Sequence, residues 1–497
     1  MAEWKRRFWS TAASGYVGVV ARMVLGLVLF RTMFQQFTHA QFGFWSLLWS
    51  LFGYGVLLDF GFGFTAQKAV AEKTATGDFA GLSRLVATIL WTFIGMAVLL
   101  LVVFLSIRGP FMSGMGVAAA DQTEFGLAYT VFFIGLSIMF PLGVFPEMLA
   151  GLQRKDLANW IGTFTTVLNF VFLYWGLSAR WHLAVLMCVS VATSILPNLV
   201  AAAVVMRKLP GVSFAPRFFD WRTVRAQMGF SLTAYLITFS NMILAKSDQL
   251  VISMTVGVSL VAVYQAGYKM GEMLGLFSSQ LQQVLSPAAA AMHAKGDESG
   301  LRDLLLRSSR LTWLLVTPCY LLSAVYLEPL IRLLTGIEQV PSETWWIGQA
   351  LLLAVFSSQL TNSCSKRVLV MSGESRRLLG ISITEAIANV VLSVILVYKA
   401  GVLGVAIGTL IPTVLVGWFW VIPVTIRKLN VRLIDFTTYH VRGTWFPLLV
   451  FGILLGAVSV AAPAAPDAGF VALGWRGALC MLPLLVLGRD VLRGMSR

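Results

Sequence analysis

The sequence has little charge, and acidic residues are the scarcest of the charged types. Only 12% of its 497 residues are charged, and 22 Asp and Glu stand against 37 Lys and Arg, whereas soluble domains carry about 25% charged residues. Hydrophobic residues make up 58% of the chain, and the mean hydropathy is +0.81. This composition excludes a water-soluble globular protein and predicts an all-α integral membrane protein.

Residues and motifs for catalysis are also scarce. The four cysteines lie in apolar stretches without paired spacing, and the four histidines are scattered, so neither a disulfide framework nor a metal site is indicated. No G-x-x-x-x-G-K-[ST] loop occurs, which argues against direct ATP hydrolysis. The longest predicted outer loop, 108–125, is short for a membrane-enzyme active site. We therefore predict no enzymatic activity, no cofactor and no metal.

The basic residues cluster at alternate helix ends. A formal net charge of +15 would indicate nucleic-acid binding in a soluble protein. Here the bases concentrate in every second loop, including 5–7, 207–225 and 427–442, as the positive-inside rule predicts for cytoplasmic segments. The charge therefore predicts cytoplasmic termini and contact with anionic lipid, with the bilayer and no nucleic acid as partner.

Apolar runs of about 20 residues recur along the chain and predict about fourteen transmembrane helices. The predicted spans are 14–36, 41–66, 83–107, 126–150, 157–178, 182–206, 229–256, 259–285, 311–333, 344–371, 378–398, 402–426, 443–461 and 470–488. We predict an N-terminal lobe of six spans (1–206), a basic connector (207–228), a C-terminal lobe of six spans (229–428), and two C-terminal helices with a basic tail (429–497).

The two blocks of six spans look like repeats. The stretch "GLQRKDLANWIGTFTTVLNFVFLY" from Gly151 is similar to "GESRRLLGISITEAIANVVLSVILVY" from Gly373, and each places an asparagine, Asn169 or Asn389, inside the next span. A second pair of stretches, from Gln41 and Leu260, lies about 219 residues apart. Because each copy has an even number of spans, the two pseudo-symmetric lobes would share one orientation in the membrane.

Ionisable residues inside the spans are the candidate site residues. A charge at the centre of a membrane helix costs about 2.5–3.5 kcal/mol on insertion scales, so pairing, snorkelling or a watery cavity must offset that cost. The residues concerned are Arg22, Arg31, Asp59, Glu147, Lys246, Asp248, Lys269, Glu272 and Glu385.

Arg22 is the strongest candidate for binding a substrate. It lies about midway along the first span with no acid on the same helix, and its structural alternative is an ion pair with Asp59. Arg31 follows nine residues later, which places it on roughly the opposite helix face and about 13 Å further along the axis. Arg31 is therefore either a second cationic ligand or a residue that snorkels to the outer headgroups.

The seventh and eighth spans carry both bases and acids. Lys269 and Glu272 are neighbours on one helical face, so they form either a structural pair or a cation with a titratable carboxylate in one cleft. Lys246 and Asp248 are about 200° apart around their helix and cannot pair directly. Asp59, Asp248 and Glu272 are predicted coupling or structural acids, and Arg22, Lys269, Arg31 and Lys246 are predicted to form a cationic cleft.

The chain resembles the Wzx-type polysaccharide or O-antigen flippases of the multidrug/oligosaccharidyl-lipid/polysaccharide (MOP) exporter superfamily. The resemblance covers roughly residues 10–430. It rests on "AQFGFWSLLWSLFGYGVLLDFGFGFTAQKAVAEK", "PEMLAGLQRKDLANWIG", "FFDWRTVRAQMGFSLTAYLITFSNMILAKSDQLVIS" and "VGVSLVAVYQAGYKMGEML". It implies a MATE-like fold in a bacterial inner membrane, with the first, second, seventh and eighth spans lining a central cleft.

The same resemblance implies a substrate and a mechanism. The protein would move a lipid-linked oligosaccharide, on an undecaprenyl pyrophosphate carrier, from the cytoplasmic to the periplasmic leaflet by alternating access. The acidic residues inside the spans predict coupling to an H⁺ or Na⁺ gradient. We expect a monomer, with a glycan polymerase or assembly proteins as further partners. Three alternatives stay open: lipid II flipping, drug/ion antiport, and a non-transporting role in a polysaccharide assembly complex.

Overall fold

The protein is described by a computed structural model that covers most of the chain. The described residues are 2–55, 62–115, 117, 121–152, 154–223, 232–275, 292, 296–371, 374–441 and 444–461. In these ranges the regular structure is helical, with no β-strand, which confirms the predicted all-α class. Helices satisfy their backbone hydrogen bonds internally, as the hydrocarbon core requires.

The described residues form two compact units. One lies within Met1–Phe239 with Gly257–Ser259, and the other within Ser240–Val256 with Leu260–Arg497. The lobe boundaries given above stay a prediction. The helices up to the connector are α1 (Ala2–Gln36), α2 (His39–Gly55), α3 (Phe62–Thr76), α4 (Phe79–Ser106), α5 (Arg108–Gly114), α6 (Gln122–Leu142), α7 (Val144–Gly151), α8 (Lys155–Ser178) and α9 (Leu183–Lys208).

The helices that follow the connector belong mainly to the C-terminal unit, although the first of them begins before Ser240. They are α10 (Leu232–Thr255), α11 (260–275), α12 (Glu298–Val325), α13 (Leu327–Thr335), α14 (Ser342–Met371), α15 (Ser375–Val416), α16 (Ile422–Lys428), α17 (Leu433–Val441) and α18 (Trp445–Ala461). A π-helical turn, Gly417–Val421, joins α15 to α16.

Six helical segments of the described chain are long and apolar enough to cross a bilayer, or eight if each bent helix pair counts as one span. The exact count of fourteen is therefore not confirmed. One predicted span, 311–333, includes the junction of two helices, because α12 and α13 meet at a bend of 75°. An apolar run indicates length and not direction, so the sequence could not show this bend. The final span, 470–488, lies outside the described residues.

The N-terminal unit has an apolar core built from α3, α4, α7 and α9. Phe62, Val86, Met148 and Val205 are among its fully or almost fully buried members. Close packing of α1 on α8 adds a second contact, in which Asn159 donates a hydrogen bond of 3.1 Å to the Ser14 hydroxyl. These helices surround the site described below.

The core of the C-terminal unit joins α10, α11, α14 and α15, with Ile252, Val261, Ile347 and Val405 fully buried. Helix α15 is broken at Ala400 and at Gly401, whose φ is 56°. Its two arms, 375–399 and 402–416, match the separately predicted spans 378–398 and 402–426. They run antiparallel, since Gly404 lies against Leu396 and Gly408 lies against Ser393.

Gly404 allows the two arms of α15 to approach, and its replacement should destabilise the protein. A Cβ atom at Gly404 would lie 2.1 Å from the Leu396 carbonyl oxygen, and backbone atoms there have little room to retreat. We expect Gly404→Ala to lower the free energy of unfolding by about 1–3 kcal/mol, a typical overpacking cost, and to lower the thermal midpoint in detergent. Gly380→Ala on the same helix meets nothing within 4 Å and should not lower the midpoint, because alanine favours a helix interior over glycine. Equal midpoints for the two variants would contradict this packing.

Both units contain the same helix-start motif, Gly-Asp-x-x-Gly, about 219 residues apart. Gly77 and Gly296 have positive φ values of 74° and 68°. The following residues, Asp78 and Asp297, each accept a 2.8 Å hydrogen bond from a backbone N–H of the next helix, α4 or α12. Lys73 and that N–H lower the pKa of the Asp78 carboxyl. The repeated cap supports an internal duplication in the register read from the sequence.

Candidate functional site

A cavity of about 640 Å³ lies inside the N-terminal unit, lined mainly by α1, α2, α6, α8 and α9. This volume is within the 300–1,000 Å³ range of small-molecule sites. Its lining includes Arg22, four large aromatic rings, and hydroxyl and amide groups. The aromatic residues are Trp49, Phe52, Phe93 and Phe140, and the hydroxyl and amide residues are Thr165, Thr166, Asn169, Thr193, Ser194 and Asn198.

Arg22 supplies a cation to this N-terminal cavity. Its guanidinium lies beside Gly18, and a Cβ atom at Gly18 would be 3.5 Å from Nη1. Within the described part of the chain, no carboxylate lies at ion-pair distance from Arg22. Asp59, its predicted alternative partner, lies outside the described residues. Glu147 also lines the cavity, while Arg154, the partner considered for Glu147, is bonded to Asp156.

Four hydroxyl groups in the cavity wall donate to carbonyls of their own helices. Thr165 and Thr166 bond to α8, while Thr193 and Ser194 bond to α9. Asn169 connects the two helices through a 2.6 Å hydrogen bond to the Thr193 hydroxyl. Because the donors are engaged, the wall presents mainly oxygen lone pairs to the cavity.

A second cavity, of about 370 Å³, lies inside the C-terminal unit and contains Asp248, Tyr268 and Glu272 in its lining. Asp248 is buried. One of its carboxylate oxygens, Oδ2, accepts hydrogen bonds from the Tyr264 hydroxyl and, at 2.7 Å, from the Thr409 hydroxyl. The other, Oδ1, is buried with no hydrogen-bond partner among the described residues. This cavity is therefore acidic.

Asn389 extends the Asp248 cluster. Its amide donates to the Thr409 hydroxyl at 2.9 Å, and its oxygen accepts from Ser247 at 3.1 Å. Helices α10, α11 and both arms of α15 thus meet in one buried polar network.

The remaining predicted cations lie elsewhere in their units. Lys269 bonds to Glu272 with a distance of 2.7 Å between Nζ and Oε2, so the predicted i,i+3 pair forms. Lys246 is half-buried on α10 and lines neither of the two cavities. Arg31 is half-buried near the far end of α1. Of the four predicted cationic residues, Arg22 therefore lines the N-terminal cavity, while Arg31, Lys246 and Lys269 line neither of the two cavities. The common cationic cleft stays a prediction.

Glu385, one of the ionisable residues predicted inside the spans, pairs with a base on another helix. Lys366 Nζ lies 2.7 Å from Glu385 Oε2, with the carboxylate side chain only 1% exposed. The two residues belong to different helices, so neither hydropathy nor helical spacing could have joined them.

We expect the Lys366–Glu385 pair to stabilise the C-terminal unit. Glu385→Gln removes the charge and leaves the buried ammonium without its counter-ion, which should cost about 1–3 kcal/mol and lower the thermal midpoint. Adding Lys366→Met should restore part of the loss, because a neutral pair of similar volume carries no buried charge. A double variant less stable than the sum of the two single changes would contradict the pairing.

The two cavities occupy equivalent positions in the repeats. Lining residues correspond at a separation of about 219 residues on the earlier helices and about 216 on the last one. The corresponding pairs are Arg22 and Asn241, Trp49 and Tyr268, Phe52 and Gly271, Phe140 and Gln359, and Thr193 and Thr409. Asn169 and Asn389 also make equivalent hydrogen bonds to those threonines. The scaffold is shared, and the charge and aromatic content differ.

Residues 37–342 match the family model described as "Polysaccharide biosynthesis protein". The chain belongs to this family. No curated protein sequence matches it. In fold it is similar to the lipid II flippase MurJ in an inward closed conformation, with a TM-score of 0.74 and 13% identity over 97% of this chain and 99% of that one.

Two further transporter structures show the same fold. An inward-facing MATE family transporter matches with a TM-score of 0.65 and 17% identity, covering 83% of this chain and 99% of its own. A MOP superfamily transporter from Pyrococcus furiosus, described as having a binding pocket of reverse polarity, matches with a TM-score of 0.59 and 16% identity. That match covers 86% of this chain and 97% of the transporter. The family member described here thus has the MOP exporter fold and is a multi-pass membrane protein.

Proposed function

We propose that this polysaccharide biosynthesis family member flips a lipid-linked oligosaccharide from the cytoplasmic to the periplasmic leaflet. The observation that carries the proposal is Arg22, a cation inside a cavity of the N-terminal unit and on an apolar transmembrane segment, Val17–Gln36. A guanidinium there costs about 2.5–3.5 kcal/mol. A role in binding an anionic headgroup would explain why the protein has an arginine at this costly position.

Arginine suits the pyrophosphate of such a carrier. Its planar guanidinium presents paired N–H donors that match phosphate oxygens bidentately. The lining around Arg22 is partly aromatic, and the low dielectric of an apolar wall strengthens the attraction between opposite charges. A cationic drug would instead be repelled by Arg22, which favours glycan transport over drug export.

The polar wall formed by α8 and α9 can lower the main energetic barrier to flipping, which is the loss of water around the sugar hydroxyls. A sugar hydroxyl moved into hydrocarbon without a hydrogen-bond partner costs roughly 2–7 kcal/mol, so several hydroxyls together would prevent spontaneous crossing. The hydroxyl and amide groups of α8 and α9 can replace water around the headgroup. The carrier's tail would remain in the bilayer, because each CH₂ moved into water costs about 0.8 kcal/mol. Alternating exposure of the site to the two sides would complete the transfer.

Ion coupling is assigned in this proposal to the Asp248 cluster. The orphaned Oδ1 of Asp248 and the neighbouring Thr409 and Asn389 oxygens are hard ligands of the kind that a small cation prefers. Asp248 would hold Na⁺ together with these groups, or bind a proton at Oδ1. A bound cation would neutralise the buried carboxylate, which links the stability of the C-terminal unit to the ion gradient.

Reconstitution tests the proposed function directly. Purified protein in proteoliposomes should move an undecaprenyl-pyrophosphate-linked oligosaccharide between leaflets, as measured by its accessibility to a membrane-impermeant lectin. A folded protein that moves none would favour the non-transporting role in an assembly complex. Lipid II supplied in place of the oligosaccharide tests the other flippase alternative, and equal rates for the two lipids would argue against glycan selectivity.

A further inference from the structure

We propose that the α8–α9 wall of the N-terminal cavity is a sugar-binding subsite, separate from the Arg22 guanidinium, that recognises hydroxyl groups of the glycan. This inference rests on the proposed function and adds to it the part of the substrate that the wall contacts. The subsite consists of Thr166, Asn169, Thr193, Ser194 and Asn198, with Trp49 among the aromatic rings that line the same cavity.

The wall is rich in hydrogen-bond acceptors. Thr166 and Ser194 donate their hydroxyl protons to helix carbonyls, which leaves their oxygen lone pairs for a ligand. Thr193 also donates to its helix, but one of its two lone pairs accepts from Asn169. Asn169 donates to Thr193 and keeps its carbonyl oxygen. Acceptors arranged in this way favour a ligand that carries several O–H donors, as a sugar does. An apolar ligand would leave them without partners at an energetic cost.

Pro197 adds a backbone acceptor to the same wall. It lies inside α9 and has no N–H, so the carbonyl of Thr193, four residues earlier, has no α-helical donor. Asn198 follows immediately and lines the cavity. Its amide makes no hydrogen bond to the described part of the chain, so it offers two donors and an acceptor to a ligand. A proline that opens the helix beside an available amide is consistent with a binding wall.

Aromatic rings provide the complementary apolar surface. Trp49 packs edge-on against Phe52 and Phe132, each with centroids 5.6 Å apart, which fixes the indole ring within the cavity lining. Pyranose rings present C–H faces that pack on such surfaces, while their hydroxyls point toward polar groups. A cavity of about 640 Å³ accommodates a small oligosaccharide headgroup.

The C-terminal cavity shows which features are specific to the N-terminal one. Its equivalents of Phe52 and Phe140 are Gly271 and Gln359, so the flat apolar surfaces are missing at these positions. The Asn–Thr hydrogen bond is common to both units and belongs to the shared scaffold. Asn198, Phe52 and Phe140 are therefore the distinguishing groups, and they assign the sugar subsite to the N-terminal unit.

Isothermal titration calorimetry, which measures the affinity of the purified protein in lipid nanodiscs for each of two probes, tests the subsite. The two probes are the repeat-unit oligosaccharide, released from its carrier by mild acid, and inorganic pyrophosphate. Asn198→Leu should weaken oligosaccharide binding at least about fivefold, because sugar hydroxyls lose a buried partner, and should leave pyrophosphate binding unchanged. Ser194→Ala, a smaller change, should also weaken oligosaccharide binding. Thr384→Val is the matched control, since Thr384 is exposed on α15 and bonded to its own helix.

The outcomes separate the subsite from the proposed function. Oligosaccharide binding that is equal in the wild type and in a folded Asn198→Leu protein would overturn the subsite. Binding of pyrophosphate alone by the wild type would also overturn it, whereas flipping in proteoliposomes would still stand. Conversely, a protein that binds the free oligosaccharide but moves no lipid-linked glycan retains the subsite and loses the proposed transport activity.

Discussion

Replacing Arg22 by glutamine is expected to abolish glycan export while the protein remains folded in the membrane. Arg22 is exposed within the N-terminal unit and lines its cavity, so its removal leaves no buried polar partner behind. The pyrophosphate would lose a bidentate, charge-assisted contact. Losing a desolvated charge contact of this kind costs about 2–5 kcal/mol, which is at least about a 30-fold loss in binding.

The effect of Arg22→Gln on export is measured as the amount of surface glycan in cells, with protein levels checked by immunoblot. Arg22→Lys should restore part of the function, since it returns the charge without the planar paired donors. Arg302→Gln, an exposed arginine on α12, is the matched control and should export normally. Wild-type glycan levels in Arg22→Gln cells would remove Arg22 from the binding site.

Replacing Asp248 by asparagine is expected to uncouple transport from the ion gradient. Asparagine keeps the shape of the side chain and an oxygen that can accept from Tyr264 and Thr409, so the packing of the C-terminal unit should survive. The negative charge that would attract Na⁺ or bind a proton is lost. We expect the gradient-driven flipping rate in proteoliposomes to fall at least about 30-fold, in line with a loss of about 2–5 kcal/mol of charge interaction.

The ion is identified by imposing Na⁺ and pH gradients separately on the wild type and on Asp248→Asn. One gradient should accelerate the wild type and leave the variant unchanged. Asp303→Asn is the matched control, because Asp303 is exposed on α12 and should not affect coupling. A variant that still responds to the gradient as the wild type does would exclude Asp248 as the coupling site.

Much of the fold could be predicted because the bilayer imposes strong rules on sequence. Continuous apolar runs located α4, α8 and α9, and both arms of α15 were predicted as separate spans. Such runs do not report a change of direction, so the bend between α12 and α13 was missed. The offset of about 219 residues, weak in the sequence, gains support from Asp78 and Asp297, because the caps they form are alike in geometry.

The candidate site was less predictable because its contacts join distant helices. Charge in an apolar span singled out Arg22 and Asp248, since such residues are costly unless they have a use. The same rule could not separate them into two cavities, nor pair Glu385 with Lys366. Asn169 and Asn389 were visible as repeat markers. Their threonine partners could have been sought one helix later, but uncharged polar residues carry little signal in a membrane span.

The equivalent positions of the two cavities have a consequence for how this family diversifies. The two halves carry equivalent pockets, one with Arg22, Phe52 and Phe140 in its lining and the other with Asp248. If the glycan contacts only the first pocket, adaptation to a new surface polysaccharide requires changes in one half of the gene. Relatives that export different glycans should therefore vary most in the lining of the N-terminal cavity, and should retain the acidic cluster of the other half.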